Sequence, residues 1–465
     1  MKRIAETLSV CILGTLAIMT AGCGDPASPA PPMTAVDAGE DSQVAMDAEP
    51  RTDATPPSVD AAVDAVPLDA DPDSAPSPSL DATVDAQPDA SRDATVPAPA
   101  DAAVPLDATR PSLDMALDVA PLPEPDADVS PRIVGDPIEL SPLGGTYPRV
   151  LQRADGRLFG TFDSGDAMNF VLRTVAADRV EGPWVARGIV AVEPIEPGRT
   201  LGNAYPFEWT PERTLCAFRH HNQVGDLYVH RLLLSASDDG GDTWRFVSEI
   251  EVDDRDHGLW EPLLFRGADG HLQVYYAWEH TVGGKQDIVM RRSRDGGMTW
   301  SDRITVASNA QSRDGMPGVA RLNDGTLVTV FESFRQDDRG PFVIRATTST
   351  DDGATWGNRQ AVYVPEAADR HAGAPALVTL ADGRLLVSFM TDEEGPGGDW
   401  PNGAAAKVLI SDGIPTRDAL VWRPHPLTVA DAPAFWPSLT ALANGDALVL
   451  YDQAGPKARR LTFTP

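Results

Sequence analysis

An eight-residue phrase, Ser-x-Asp-x-Gly-x-Thr-Trp, occurs three times in this chain at intervals of 56 residues, at 237–244, 293–300 and 349–356. Self-similarity at a fixed period of this size indicates stacked or radial repeats, because one such unit cannot bury its apolar face alone. The phrase has the chemistry of a turn, since Asp accepts hydrogen bonds from backbone N–H groups, Gly adopts positive φ and the Trp packs on the next strand. We therefore predict a structural role for the aspartates and tryptophans of the three copies, which are Asp239, Trp244, Asp295, Trp300, Asp351 and Trp356.

A second repeat is marked by proline. Six Xaa-Pro steps each open a short apolar run, and the residues before proline are Tyr147, Tyr205, Glu261, Met316, Ala374 and Trp436. Five of these runs are followed by an Asp-Gly or Asn-Gly turn, at Asp155, Asp269, Asp324, Asp382 and Asn444, and in the second run Thr210-Pro-Glu-Arg takes its place. Each return run ends on an aromatic residue: Phe162, Phe218, Tyr276, Phe331, Phe389 and Tyr451. Asp-Gly and Asn-Gly between apolar runs are the strongest short-range hairpin signal, and proline is tolerated at the first residue of a strand.

The six hairpins follow one another at intervals of 55 to 62 residues. If the three Ser-x-Asp-x-Gly-x-Thr-Trp turns complete the outer parts of blades two to four, each unit is a four-stranded blade. The sequence therefore predicts an all-β fold, a six-bladed β-propeller that occupies residues 132–465 as one domain. We expect the ring to close through a strand near residues 133–140 and another near residues 460–464.

The amino terminus has the features of a bacterial signal peptide. Lys2 and Arg3 precede an apolar stretch over residues 8–20, too short to span a membrane, and small residues lead to Cys23. These features predict a signal peptide over residues 1–22 and a lipid anchor on Cys23. The alternative is ordinary cleavage with an incidental cysteine. The chain is thus expected to be an exported lipoprotein of the bacterial outer membrane or cell surface, in contact with the membrane through the lipid alone.

Residues 24–131 contain 20 prolines, 23 acidic and three basic residues, and no aromatic residue. Such a segment cannot bury enough apolar surface to offset its chain entropy, so we expect a disordered stalk over residues 23–131. It carries most of the net charge of −31. A strongly acidic chain argues against nucleic acid as a partner, and we expect a monomer.

Cysteine and histidine usage predicts neither a metal site nor a cofactor. Cys11 lies in the signal peptide and Cys23 at its end, which leaves Cys216 on a return strand as a small core residue. The eight histidines form no metal-binding motif.

Topology brings two carboxylates to one face. In an antiparallel blade, the start of the innermost strand and the end of the second strand share a face, and the Asp-containing turns lie on the other. The residues before the six prolines are therefore expected to ring one mouth of the channel, with a second set behind them: Asp163, Arg219, Ala277, Glu332, Met390 and Asp452. Glu261 and Glu332 come from neighbouring blades, and two converging carboxylates are what glycoside cleavage requires. Aromatic rings around the mouth suit a sugar; the alternative is that one or both glutamates are solvated rim charges.

The turn phrase resembles the Asp box of sialidase-like propellers, and most of the propeller is similar to glycoside hydrolase family 93, the exo-α-1,5-L-arabinanases. The phrases that carry this resemblance are Trp260-Glu-Pro, Leu272-Gln-Val-Tyr-Tyr, Gln286-Asp, Arg313-Asp-Gly-Met-Pro-Gly, Val330-Phe-Glu-Ser, Ala372-Gly-Ala-Pro and Val387-Ser-Phe-Met-Thr-Asp. The resemblance implies a retaining enzyme that releases arabinobiose from the non-reducing end of linear arabinan, with Glu261 as acid/base and Glu332 as nucleophile. The residues expected to bind the polysaccharide or oligosaccharide substrate are Tyr147, Arg149, Tyr205, Arg219, Asp287, Arg313, Asp314 and Trp436.

Two other functions remain open at this point. Tyr147-Pro-Arg149-Val is similar to the Phe-Arg-Ile-Pro motif of sialidases, which need three arginines and a tyrosine nucleophile. Arg313 and Arg370 are candidates for the other two arginines, but no tyrosine stands out. The remaining alternative is a non-catalytic surface propeller that binds glycan or protein, since one fold hosts many functions.

Overall fold

The computed structural model describes residues 129–463, apart from 226, 254–257, 281–283, 311 and 335–339. Over these residues the chain forms six four-stranded antiparallel sheets from 24 strands, which confirms the all-β, six-bladed propeller. The same residues contain no helix with the length and apolar character needed to cross a membrane. The signal peptide, Cys23 and the stalk lie outside the described residues, and their assignments stay predictions.

The first three blades follow the chain from the innermost strand outward. Blade 1 comprises β2 (Thr146–Gln152), β3 (Leu158–Gly165), β4 (Asn169–Ala177) and β5 (Val185–Pro194). Blade 2 comprises β6 (Thr200–Thr210), β7 (Arg213–Val224), β8 (Leu227–Ser237) and β9 (Arg245–Asp253). Blade 3 comprises β10 (Leu259–Arg266), β11 (Leu272–Glu279), β12 (Gln286–Ser293) and β13 (Ile304–Ala307).

The last three blades have the same order, and the sixth takes its outer strand from the start of the propeller. Blade 4 comprises β14 (Gly315–Arg321), β15 (Leu327–Phe334), β16 (Phe342–Ser349) and β17 (Gly357–Tyr363). Blade 5 comprises β18 (Ala372–Thr379), β19 (Leu385–Thr391), β20 (Ala405–Ile410) and β21 (Leu427–Ala430). Blade 6 comprises β22 (Phe435–Ala441), β23 (Ala447–Asp452), β24 (Pro456–Thr462) and β1 (Arg132–Glu139).

The ring closes where β1 pairs with β24, close to the two segments predicted. Ile133 pairs with Leu461 in this ladder, and Leu461 is fully buried in the core that blades 5 and 6 share. Because the outer strand of blade 6 comes from the other end of the propeller, hydrogen bonds of one sheet hold both ends of the ring.

The six predicted hairpins are present. In the five Asp-Gly or Asn-Gly turns, glycine has a φ between 80° and 90°, as for Gly270 and Gly445. The six closing aromatic side chains are buried between the blades, and Tyr276 and Phe331 are fully inaccessible. Cys216 is likewise a buried core residue, packed with Leu172 and Phe218, and burial raises the pKa of its thiol. Aromatic packing between blades thus follows the positions read from the sequence.

The Asp boxes join neighbouring blades. In the second box, Asp295 accepts hydrogen bonds from the backbone N–H of Thr299 at 2.9 Å and from its hydroxyl at 2.6 Å. Gly297 has a φ of 95°, and a Cβ there would lie 2.3 Å from Leu234 of blade 2. The third box is similar, since Trp356 lies edge-on to Tyr275 of blade 3 with ring centroids 6.0 Å apart. These contacts lie within the turn and between blades, and they reach the preceding blade rather than only the following strand.

Candidate active site

The innermost strand of every blade begins with a β-bulge that faces the same mouth of the channel. One residue of each bulge has left-handed backbone geometry, with φ between 48° and 58°: Tyr147, Asn203, Glu261, Met316, Ala374 and Trp436. A residue with a Cβ in this region costs on the order of 1 kcal/mol, and bulges of this kind redirect a side chain. The fold therefore accepts this strain six times around the channel mouth, and Glu261 occupies one of the six positions.

In blade 2 the left-handed position of the bulge is occupied by Asn203, and not by Tyr205, the residue predicted at the channel mouth. Tyr205 lies two residues further on, paired with Ala217 in the channel wall. The other five prolines precede their turn residue by seven positions, and the same spacing from Pro211 leads to Ala204. Aligning blade 2 on Pro206 therefore shifted it by two residues, although the constant spacing carried the correct register.

The second set of residues at this mouth is placed as predicted. Each is paired in the ladder with the residue just before the left-handed position: Thr146 with Asp163, Gly202 with Arg219, Trp260 with Ala277, Gly315 with Glu332, Gly373 with Met390 and Phe435 with Asp452. Because these pairs all lie at the start of the innermost strand, Glu261 of β10 and Glu332 of β15 share one face of the propeller.

Glu332 is a buried carboxylate held from two sides. Its Oε2 accepts a hydrogen bond of 2.9 Å from the backbone N–H of Ala374, and its Oε1 lies 3.5 Å from Nη1 of Arg313. Burial raises the pKa of Glu332, and the charge of Arg313 and the Ala374 amide oppose that rise. Oε2 is therefore the firmly held oxygen, and Oε1 has only one long contact.

Glu261 is in a different electrostatic environment. Burial and the nearby Glu332 carboxylate raise its pKa to about 7, against the charges of Arg313 and Arg219. Its Oε2 is buried and has no hydrogen-bond partner among the described residues. Of the two carboxyl groups, Glu261 is the one disposed to hold a proton near neutral pH.

Two predicted binding residues lie beside Glu261. The guanidinium of Arg219 lies over the ring of Trp260, 5.1 Å from its centroid, and donates to the hydroxyl of Thr200 at 3.1 Å. Tyr147 is buried, and burial together with Glu261 and Asp163 raises its pKa. Because this environment disfavours a phenolate, Tyr147 is poorly suited to be a sialidase-type nucleophile.

An apolar wall completes the mouth. It is formed by Tyr147, Met316, Ala374, Met390, Trp400, Ala404 and Trp436. Trp400 stacks on His371, with ring centroids 4.9 Å apart, and a Cβ on Gly373 would lie 2.7 Å from Oε2 of Glu332 and 3.0 Å from Trp400. Trp400 could not be identified from the sequence, because it lies in the long connection between β19 and β20. Its only signal was that this connection emerges on the same face as the two glutamates.

Two other predicted binding residues, Arg149 and Asp287, have contacts with groups of the protein. Arg149 is buried over the ring of Tyr147 and donates from Nη1 to the carbonyl oxygens of Pro148 and Trp436. Oδ2 of Asp287 accepts a hydrogen bond of 2.7 Å from Nε2 of His280 on blade 3.

Asp314 was predicted to bind substrate, but its surroundings are not those of a substrate-binding residue. It is fully buried, and Arg359 donates to both of its oxygens, at 2.7 and 2.9 Å. Arg359 also donates to the hydroxyl of Ser333, so the pair ties the start of blade 4 to its second and outer strands. A carboxylate held in this way serves the fold, and a substrate has no access to it.

The three arginines considered for a sialidase have separate attachments. Arg149 bonds to backbone carbonyls, Arg313 lies against Glu332, and Arg370 donates to Asp369 and to the carbonyl of Gly395. Each already has a protein acceptor, so the structure does not present them as one vacant carboxylate site.

Asp163 shows what a purely structural carboxylate does at this mouth. It occupies in blade 1 the position that Glu332 has in blade 4, and it accepts hydrogen bonds from the backbone amides of Asn203 and Ala204. Glu332 makes the corresponding bond to Ala374 with one oxygen only. Its additional methylene group leaves Oε1 beside Arg313, so Glu332 can hold the neighbouring blade and still present an oxygen.

A cavity of about 480 Å3 follows the innermost strands. Its wall is mainly apolar, and Glu261 lines it together with Tyr147 and Met316. Over the described residues, no group of three or more His, Cys, Asp or Glu side chains is arranged to hold a metal ion.

Comparison with known proteins identifies a family for the chain. A family profile described as a BNR repeat-like domain matches residues 166–446. An α-L-arabinanase of Penicillium chrysogenum, solved with arabinobiose, superposes with a TM-score of 0.52 at 17% identity, over 72% of this chain and 98% of its own. A GH93 α-L-arabinofuranosidase of Fusarium graminearum, also with arabinobiose, gives a TM-score of 0.54 at 18% identity, over 70% and 96%.

A protein of unknown function from Dyadobacter fermentans is similar to the same extent, with a TM-score of 0.53 at 15% identity over 72% of this chain and 99% of its own. At these identities the similarity shows the shared fold. No curated protein matches the chain.

Proposed function

Because this chain belongs to the family of BNR repeat-like domains and has a sialidase-like propeller fold, we propose that it is a retaining, exo-acting glycoside hydrolase of α-1,5-linked L-arabinan that releases arabinobiose. The observation that carries the proposal is the pair Glu261 and Glu332. They come from adjacent blades, share one mouth and have different environments. A retaining glycosidase needs one carboxyl group that holds a proton and one that attacks.

The contacts of Glu261 and Glu332 indicate which of them attacks and which donates the proton. Glu332 attacks the anomeric carbon through Oε1, because Oε2 is engaged with the amide of Ala374. Arg313 favours the charged form of Glu332 and keeps the carboxylate in place. Glu261, with a pKa of about 7, donates its proton to the leaving glycosidic oxygen as the bond to the anomeric carbon breaks.

The second half of the reaction reverses the proton transfer. The first step leaves the sugar esterified to Glu332 and Glu261 ionised. Glu261 then takes a proton from a water molecule that attacks the anomeric carbon, which releases Glu332 as a carboxylate and the sugar with its original configuration. Both carboxyl groups return to their starting protonation states, so the cycle needs no cofactor.

The substrate class is supported by the lining of the mouth and by the two structural neighbours solved with arabinobiose. Trp400 and Trp436 offer ring faces, and Arg219 and Arg313 offer hydrogen-bond donors beside the carboxylates. Sugars bind through apolar faces on rings and through hydroxyl groups on such polar side chains. Action from the chain end rests on the resemblance to family 93.

The test is product analysis with the full chain. Linear arabinan, debranched arabinan and a sialoside are incubated with the wild type and with Glu261→Gln and Glu332→Gln. We expect the wild type to release arabinobiose from linear arabinan, and each variant to bind arabino-oligosaccharide yet lose turnover, because Gln keeps the shape but cannot donate or attack. Release of sialic acid, or full activity in both variants, would contradict the proposal.

A further inference from the structure

Gln286, the first residue of β12, has a fully buried side-chain amide. Neither its Nε2 nor its Oε1 has a hydrogen-bond partner among the described residues, although the side chain is completely inaccessible. Leaving a buried polar group unpaired costs on the order of 1–3 kcal/mol, so folded proteins rarely retain one without a reason.

The Gln286 amide faces the nucleophile position. The point where a Cβ on Gly315 would stand is 3.2 Å from Nε2 of Gln286 and 3.1 Å from Oε1 of Glu332. Because residue 315 is glycine, no side chain at this position separates the amide from the carboxylate. An amide nitrogen in this space attracts the carboxylate oxygen, whereas an amide oxygen would repel it.

The main chain of Gln286 is bonded to the segment that carries Arg313. Gln286 forms a parallel bridge with Arg313, and its carbonyl accepts a hydrogen bond of 2.9 Å from the amide of Asp314. The same residue therefore holds the segment that carries Arg313 and directs its side-chain amide towards the Glu332 oxygen beside that arginine.

We propose that Gln286 is a positioning residue for Glu332, whose side-chain N–H group holds Oε1 of the carboxylate when Glu332 is charged and about to attack. The inference rests on the proposed function. Gln286 does not touch the substrate, since its side chain has no accessible surface. It acts through Glu332, by adding a donor on the oxygen that has only the long contact with Arg313.

The other charged groups at this point are few. Arg313 faces Oε1 from the segment before β14, and the Glu261 carboxyl faces Glu332 from β10. Asp314 and Arg359 are adjacent but neutralise each other as a buried ion pair. A change at Gln286 therefore alters the solvation of Glu332 without removing any charge.

Blade 3 provides a matched control. Gln273 is also fully buried, but it lies at the opposite end of the blade, and its amide is satisfied by the carbonyl of Asp352 and the hydroxyl of Tyr275. Met has nearly the length and shape of Gln without its polar atoms. Gln286→Met thus removes a side-chain amide that has no hydrogen-bond partner among the described residues. Gln273→Met removes a side-chain amide that is hydrogen-bonded.

The experiment measures three properties of the full chain: the thermal midpoint, the pH profile of kcat/KM on linear arabinan, and the titration of the Glu332 carboxyl by 13C NMR. The carboxyl signal is assigned by its absence in Glu332→Gln. In Gln286→Met we expect an unchanged or higher midpoint, kcat/KM lowered roughly tenfold to a hundredfold, and an upward shift of about one unit in the Glu332 titration and in the acidic limb. In Gln273→Met we expect a lower midpoint with the Glu332 titration unchanged.

A folded Gln286→Met variant with a wild-type Glu332 titration would overturn the inference, and Gln286→Leu gives the same reading should the Met variant misfold. If the wild type cleaves no arabinan, the proposed function fails, but the carboxyl titration still decides whether Gln286 holds Glu332. The two failures are therefore distinguishable.

Discussion

At the scale of single residues, the raised pKa of Glu261 links activity to stability. Its pKa rises from 4.5 to about 7 in the folded chain, so the folded state binds this proton more tightly than the unfolded state. The stability that this provides is fully present below pH 4.5 and is lost as the pH rises through 7.

We therefore expect Glu261→Gln to increase the free energy of unfolding at pH 8 by roughly 2–3 kcal/mol relative to wild type, with little change at pH 4. Urea unfolding at the two pH values measures it. The exposed residue Glu366 provides the control, since Glu366→Gln should change stability equally at both. An equal effect of Glu261→Gln at both pH values would show that Glu261 is not buried with a raised pKa.

The sequence was sufficient to place the two glutamates but not to describe what surrounds them. Glu261 and Glu332 could be assigned to one face because hairpin topology and a proline repeat fix the direction of each strand. The roles of Asp314 and Gln286 depend on which side chains meet between segments that are distant in the chain, within blade 4 for Asp314 and between blades 3 and 4 for Gln286. A contact between segments far apart in the chain leaves no periodic pattern in the sequence. Trp400 was missed for the related reason that a long irregular connection has no repeat to align.

At the scale of elements, the hydrogen bonds within an Asp box link the stability of the turn to pH. The hydroxyl and amide of Thr299 and the hydroxyl of Ser293 lower the pKa of Asp295 to about 2. The stability from this group is therefore present above its ordinary pKa near 4 and is lost as the pH falls towards 2.

We expect Asp295→Ala to destabilise the chain by about 1–2 kcal/mol at pH 7, with a smaller effect at pH 3, and to leave turnover unchanged because the box lies on the face opposite Glu261. Thermal melts and arabinan hydrolysis measure the two quantities. The exposed residue Asp302 is the control, and Asp302→Ala should be neutral. A large loss of kcat in Asp295→Ala with intact stability would assign these boxes to function rather than to the fold.

The hairpins could be predicted because each one is a local event. Turn residues, proline and a closing aromatic lie within about fifteen residues of one another, and they specify a hairpin without help from the rest of the chain. Blade 2 shows the limit of this reasoning. There Ala204 stands where five blades have proline, and Pro206 two positions later misdirected the alignment. The left-handed bulge conformation at all six positions has no signal in residue type, since Tyr, Asn, Glu, Met, Ala and Trp all adopt it.

At the scale of the whole molecule, ring closure makes the propeller depend on its last strand. Leu461 of β24 is fully buried opposite Ile133 of β1. We expect Leu461→Ala to cost about 2–4 kcal/mol and to lower the thermal midpoint of the entire propeller in one transition. Val134→Ala is the control on the same ladder, because Val134 is exposed and should change stability by less than about 0.5 kcal/mol. A separate early transition for blade 6 would contradict closure as the basis of cooperativity.

The attachment of the chain to a membrane stays a prediction, and substitutions near the amino terminus can test it. We propose that Cys23 carries lipid and that residues 24–131 lift the propeller from the membrane surface. Wild type should partition into the detergent phase and Cys23→Ala into the aqueous phase. Ser28→Ala, five residues on, should behave as wild type. Recovery of the wild type from the aqueous phase would contradict the lipid anchor.

The central claim is that Glu261 and Glu332 act together in a retaining cleavage of arabinan. The most direct measurement is 1H NMR of the full chain acting on linear α-1,5-arabinan, with the first-formed anomer recorded before mutarotation. We predict arabinobiose whose new reducing end is initially α, from carboxyl groups about 5–5.5 Å apart. An initial β anomer would require a pair separated by roughly 6.5–9.5 Å with water between them, and that result would contradict the account.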